Sequence, residues 1–143
     1  MQIAAGDCHN LIVMSSGRMH TFGHNNQGQC GRGTTNTAFA ARPIEFVLEE
    51  ADNARLSESP KWLCAAGGRD HSLAVSDQGQ VYACGNNAKG TLGLPGIESA
   101  NWFSKVHTVQ NGQAARVFAG VDHSFVLLHH TKPIRDISTA KDK

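Results

Sequence analysis

Residues 23–33, GHNNQGQCGRG, are the first stretch of the chain whose composition could do chemistry. Four glycines fall in eleven residues, and the first six positions fit G-x-x-x-x-G, the opening of a phosphate-binding loop. Such a loop continues with Lys and then Ser or Thr, which hold the β/γ-phosphates and Mg²⁺. Here the continuation is Gln29-Cys30, and a second such stretch, GNNAKG at 85–90, continues Thr91-Leu92. Neither has the lysine. The glycines are therefore expected to make turns, and the asparagines to hydrogen-bond their own loop backbone.

The other reactive side chains point the same way. His9, His71 and His123 each precede an apolar run. A catalytic base or metal ligand is needed once, so three equivalent histidines predict buried structural residues with both ring nitrogens hydrogen-bonded. His129 and His130 are adjacent, which on a strand points them to opposite faces and makes a poor chelate. His20, His24 and His107 have no recognisable partners, and His24 falls in the glycine loop. Cys8, Cys30, Cys64 and Cys84 form no C-x-x-C and no zinc-finger spacing with histidine. Reduced, mostly buried thiols are expected, and a disulfide stays open. Asp70, His71 and Ser72 carry the groups of a hydrolytic triad, but consecutive residues cannot adopt its geometry. No catalytic, cofactor-binding or metal-binding residue is nominated.

What positions these residues is a repeat. IAAGDCHNLIVMSSGRMHTFGHNNQGQCGRG, from Ile3, aligns without a gap with AAGGRDHSLAVSDQGQVYACGNNAKGTLGLP, from Ala65. One offset of 62 takes Gly6 to Gly68, His9 to His71, Gly17 to Gly79 and Gly23 to Gly85. The same offset takes Asn25 to Asn87, Gly28 to Gly90 and Gly31 to Gly93. A third copy starts at VFAGVDHSFVLL, 52 residues further on, but no glycine follows Gly120. The apolar period inside a copy is two, as in Leu11 and Val13, Leu73 and Val75, Phe125 and Leu127. The intervening positions are also apolar, which predicts strands buried on one or both faces. Gly17 and Gly79 supply the positive φ of a tight hairpin. Return strands are expected at 19–22 and 81–84, and short leading strands around 3–5, 63–66 and 116–119. Fourth strands are expected near 43–47 and 103–109, with Pro43 fitting only a strand start or edge. The one candidate helix is FVLEEADNARL, 46–56, with a weak apolar stripe.

Each copy thus makes about four short antiparallel strands, and stacking copies face to face buries both sides of each sheet, the logic of a β-propeller. The expected fold is all-β. Two full blades span about 3–62 and 65–114, and part of a third spans 117–130. Together they make a propeller segment at 1–130, followed by a polar tail at 131–143. Cys84 aligns with Phe22 and Cys30 with Leu92, so both thiols fall at apolar positions and core packing is favoured over redox chemistry. The connector after Gly31 is ten residues longer than that after Gly93. The excess falls near VLEEADNARLSESPK, where Glu49, Glu50, Asp52 and Glu58 face Arg55 and Lys61 in composition. Loops on a rigid scaffold often carry recognition, so Glu49, Glu50, Asp52, Arg55 and Glu58 are the candidate protein contact. A plain solvated insertion is the competing explanation.

The bulk numbers fit. The chain has 143 residues, 40% hydrophobic and 17% charged, with a net charge of +1. That composition is globular, and near-neutrality argues against nucleic acid or chromatin as partner. No apolar run approaches a membrane span, no basic-then-apolar leader opens the chain, and N-x-[ST] sequons are absent. An intracellular chain is expected, its compartment open.

The pattern A-x-G-x-x-H-[SN]-L, a turn glycine, then V-Y-x-x-G-N-N-x-x-G-x-L-G resembles the RCC1 (regulator of chromosome condensation) repeat. It is nearly complete in AAGGRDHSLAVSDQGQVYACGNNAKGTLGL. The first copy departs from it at Cys30 and Cys8, and the frequent tryptophan before the strand-end glycine is replaced by Phe22 and Cys84. The resemblance implies a seven-bladed propeller, which two repeats and a fragment cannot close. The expectation is the C-terminal part of a longer protein, with an incomplete gene product or a ring completed by other chains as alternatives. It further implies a protein-interaction module, a scaffold or regulatory unit within a longer chain or complex, binding one or more proteins. The alternative it implies is guanine-nucleotide exchange on a small GTPase of the Ran type, for which no residue carries over. Ultraviolet sensing, found in plant relatives with clustered tryptophans, does not fit a chain with Trp62, Trp102 and no Gly-Trp-Arg-His motif.

Overall fold

A computed structural model describes residues 1–48, 55–56, 59–109 and 113–129. Every element in them is a strand. Four form the first sheet in sequential order: β1 (Gln2–Ala5), β2 (His9–Val13), β3 (Met19–Gly23) and β4 (Ala38–Pro43). After a two-stranded ribbon of β5 (Val47–Leu48) and β6 (Arg55–Leu56) comes the second sheet. It consists of β7 (Trp62–Gly67), β8 (His71–Ser76), β9 (Val81–Asn86) and β10 (Ser99–Lys105), again in sequential order. β11 (Ala114–Ala119) and β12 (Ser124–Leu128) form half of a third sheet. All pairings are antiparallel. The two full sheets are the expected blades.

The sheets stack with their innermost strands β1, β7 and β11 side by side. Two apolar seams result. In the first, Leu11, Val13 and Met19 of one blade meet Ala65, Ala74, Tyr82, Cys84 and Phe103 of the next, with Ile44, Phe46 and Trp62 closing the outside. In the second, Leu73, Val75, Val81 and Leu92 meet Ala114 and Val117, with Val126 alongside. β8 feeds both seams, Leu73 and Val75 from one face and Ala74 from the other, so all six of its residues are buried. That explains the unbroken apolar run read in the sequence.

Each hairpin turn also starts the next blade. The Gly17 carbonyl accepts from Trp62 N–H at 2.8 Å, and the Gly79 carbonyl accepts from Ala114 N–H at 2.9 Å. The glycine φ values are +83° and +71°, the left-handed region the turn requires.

Two expectations need correction. The fourth strands lie at Ala38–Pro43 and Ser99–Lys105, a few residues ahead of the predicted 43–47 and 103–109. Each contains a bulge, with irregular register between Thr21 and Gly23 in β3 and between Ala100 and Ser104 in β10. Bulged strands break the alternation on which the prediction relied. Pro43 ends its strand rather than starting it, at the edge where a missing N–H costs no ladder bond. Nor does a helix cover 46–56: Val47 pairs with Leu56 and Leu48 with Arg55 as a small antiparallel ribbon. A weak apolar stripe gives a helix nothing to bury against a neighbour. The predicted tail, 131–143, and His130 lie outside the described residues.

Candidate functional site

The polar residues singled out in the sequence meet at the seams. His9 Nε2 lies 2.7 Å from Ser72 Oγ of the next blade, and Ser72 Oγ donates to the Gln29 carbonyl at 2.7 Å. A hydroxyl has one proton. With that proton on the Gln29 carbonyl, His9 Nε2 must carry the N–H that reaches Ser72, and Nδ1 is left a bare acceptor. His9 is 1% exposed, and burial, aided by nearby His71, lowers its pKa to about 4, so the ring is neutral. The second seam repeats the motif: His71 Nε2 lies 3.0 Å from Ser124 Oγ, which donates to the Thr91 carbonyl at 2.7 Å. Burial lowers the His71 pKa as well.

The structural role predicted for these histidines holds, but full satisfaction does not. His9 Nδ1 is buried with no partner. The Gly6 backbone lies over that edge of the ring, where a Cβ on Gly6 would sit 2.5 Å from Nδ1. The third histidine, His123, is exposed and stacks edge-on to Phe125 with centroids 5.3 Å apart. Ser72 and Ser124 were missed as partners. The available signal was their common repeat position, directly after the histidine, where the first copy has Asn10. A serine hydroxyl 2.7 Å from an imidazole also resembles an activated nucleophile. Ser72 is fully buried and its proton is already donated to a carbonyl, so the pair joins blades and does no acyl chemistry.

The glycine loops are the second element of the seams. Asn25 organises the first: Cys30 N–H donates to Oδ1 at 2.8 Å, and Nδ2 donates to the Thr34 and Asn36 carbonyls. Asn87 repeats this with Leu92 N–H, Leu94 and Ile97. These bonds are the predicted loop-backbone contacts, and turn bonds take up the N–H groups of Gly28, Gly31, Gly90 and Gly93 as well. The first loop then docks on the bulge of β10. Arg32 bridges Trp102, and Gly33 N–H donates to the Asn101 carbonyl at 2.8 Å. A Cβ on Gly31 would sit 2.3 Å from the Phe103 ring, and one on Gly33 would sit 2.0 Å from Trp102.

Cys30 and Cys84 are fully buried free thiols. Desolvation raises the Cys30 pKa to about 11 and pushes Cys84 well above its ordinary value. Both are inert packing groups, as their apolar alignment implied. Cys64 is half-buried and Cys8 exposed, both free. At the loop end of the second seam, Asp122 bridges Arg69 at 2.7 Å and Lys89 at 2.6 Å. The Lys89 ammonium, followed by Arg69, holds the Asp122 carboxyl below its ordinary pKa. A cleft of about 570 Å³ runs along β1, β7 and β11, lined mostly by small side chains with Leu63 and Phe118 as its large apolar groups and Gln2 and Arg116 as its long polar ones. Among the described residues no three metal-ligating side chains converge, and no helix is long and apolar enough to cross a membrane. Of the candidate contact, Arg55 lies in β6, while Glu49, Glu50, Asp52 and Glu58 lie outside the described residues.

Comparison with known proteins matches two models of the regulator of chromosome condensation (RCC1) repeat. One matches residues 2–29 and 65–91, and the other 16–75, together spanning more than half of the chain. Protein RCC2 of Mus musculus is 33% identical over 128 residues, covering 87% of this chain and 22% of that protein. The X-linked retinitis pigmentosa GTPase regulator of Homo sapiens is 32% identical over 103 residues, covering 72% of this chain and 9% of that protein. The chain thus spans less than a quarter of the length of these relatives. Human WBSCR16 superposes with a TM-score of 0.72 at 24% identity, over 90% of this chain and 31% of that one. Prp20p of Saccharomyces cerevisiae, described with its binding to Gsp1p and histones, gives 0.68 at 22% identity, over 88% of this chain and 30% of that one. These two likenesses concern the fold.

Proposed function

The chain belongs to the RCC1-repeat family, and from that premise we propose that it is a protein-interaction module, a scaffold or regulatory unit of a larger intracellular assembly. One observation carries this. Of the groups that looked reactive, His9, His71, Ser72 and Cys84 bond across the seams and Cys30 is a fully buried packing thiol. Recognition is left to the loops at the blade ends, which a rigid stack holds in place. The acidic insertion is the proposed contact, through Glu49, Glu50, Asp52, Arg55 and Glu58, and its net negative charge favours a basic partner surface.

A small GTPase is the partner class to try first, because relatives at about a third identity are GTPase regulators by name. The test is release of labelled GDP from a purified Ran-type GTPase in the presence of this chain, beside direct binding. The proposal expects binding with an unchanged release rate. Accelerated release would replace it with nucleotide exchange. Reversing Glu49, Glu50, Asp52 and Glu58 to lysine should weaken binding tenfold or more, on the order of 1.4 kcal/mol, and unchanged binding would remove the insertion from the contact.

A further inference from the structure

Ser59 lies on the connector that leads from the β5–β6 ribbon into β7, between the two four-stranded blades. It is exposed, Pro60 after it is half-buried, and Lys61 is exposed again. A residue before proline is held extended, the form in which a protein kinase takes its substrate. Ser59 Oγ accepts from Trp62 Nε1–H at 3.2 Å and donates to the Pro60 carbonyl at 3.4 Å. The second bond is at the long limit, so the hydroxyl proton is loosely held. Ser72 is the contrast: fully buried, with its proton on the Gln29 carbonyl at 2.7 Å.

The residue that follows Ser59 also matters. Pro43 follows Arg42, Pro95 follows Leu94 and Pro133 follows Lys132, so Ser59-Pro60 is the one place in the chain where a hydroxyl residue precedes proline. Proline has no backbone N–H. An apolar kinase pocket can therefore receive Pro60 without stranding a donor, as it would with any other residue there. We propose that Ser59 is a phosphorylation site for a proline-directed protein kinase. Ser59 Oγ attacks the γ-phosphorus of ATP and the Oγ–P bond forms. The bond from that phosphorus to the β–γ bridging oxygen breaks, ADP leaves, and the hydroxyl proton passes to the kinase's carboxylate base. The product carries about −1.5 to −2 of charge at pH 7, next to Glu58 in a segment already acidic by composition. Trp62 Nε1–H keeps an acceptor, now a charged one, so the connector stays tied to β7. The modification itself does not depend on the proposed contact.

Incubation of the 143-residue chain with a purified cyclin-dependent kinase, ATP and Mg²⁺, read by mass spectrometry, tests it. The expected result is one phosphate per chain, on Ser59, at a rate comparable to that of a free peptide spanning residues 55–65. Ser59→Ala should take none, and Ser59→Thr should restore transfer. Pro60→Ala should slow transfer about tenfold, the cost of one stranded N–H, with tryptophan emission unchanged to show the first seam intact. A folded chain that takes no phosphate would overturn the proposal. So would transfer that survives Ser59→Ala, or a Pro60→Ala chain modified at the wild-type rate.

Discussion

The two seams are built from the same repeat and closed differently. At the first, the glycine loop docks on a neighbouring outer strand, and Gly28, Gly31 and Gly33 lie so close to β10 that a Cβ would stand 2.4, 2.3 and 2.0 Å from it. At the second, the equivalent loop has the same asparagine clamp and left-handed φ, and among the described residues, which hold only two strands of the third sheet, a Cβ on Gly90 would meet nothing within 4 Å. The His–Ser pair is buried at the first seam and partly buried at the second, where an exposed ion bridge is added. The repeat therefore fixes the loop's shape, and at the first seam an outer strand of the next blade makes its glycines packing residues as well.

Substitutions can break or sharpen that contrast. The largest effect is expected from Gly31→Ala, which adds backbone strain to a collision with Phe103 and should cost about 4 kcal/mol, read as a lower midpoint in denaturant unfolding. Acid comes next. The His9 pKa is about 4 in the folded chain against 6.5 when free, so the unfolded chain takes up the proton first. Stability is full above that free value and declines as the pH falls toward 4, by about 3 kcal/mol, with His71 adding in the same direction. A pH series of unfolding curves checks this, and a flat series would contradict the neutral tautomer. Ser72→Ala strands the His9 N–H in a dry seam and should cost about 2 kcal/mol, with Ser124→Ala costing less. Gly90→Ala should cost about 1 kcal/mol, from φ alone. An equal loss at Gly31 and Gly90 would erase the distinction. The smallest change is expected for Asp122→Asn, whose exposed bridge is screened by salt, so wild type and variant should converge in melting temperature as salt is raised.

Much of this was legible in the sequence because it is local or repeated. The hairpin glycines, the strands and the asparagine clamps answer to φ preferences and a period of two, and two copies at one offset confirm each other. Phe22 aligned with Cys84 marked the thiol as a packing residue before any burial was known. The partners across the seams were not legible. His9 finds Ser72 63 residues away, and nothing local to either residue announces the pairing. The outer strands were misplaced because each carries a bulge that breaks its register, and in β10 the bulge lies under the loop of the neighbouring blade, with Trp102 against Gly33 and Phe103 against Gly31. The ribbon at 47–48 and 55–56 was masked by a composition rich in helix formers.

The aromatic cluster around Trp62 has an optical consequence. Trp62 is 2% exposed and packs edge-on to Phe46 and Tyr82, the chain's one tyrosine, and tilted against Phe103. Trp102, the other tryptophan, lies over Gly33 at the same seam. Every strong near-ultraviolet chromophore of the protein thus reports on the contact between the first two blades. Its intrinsic emission is a gauge of that seam alone, and β11 and β12 could peel away without shifting the spectrum.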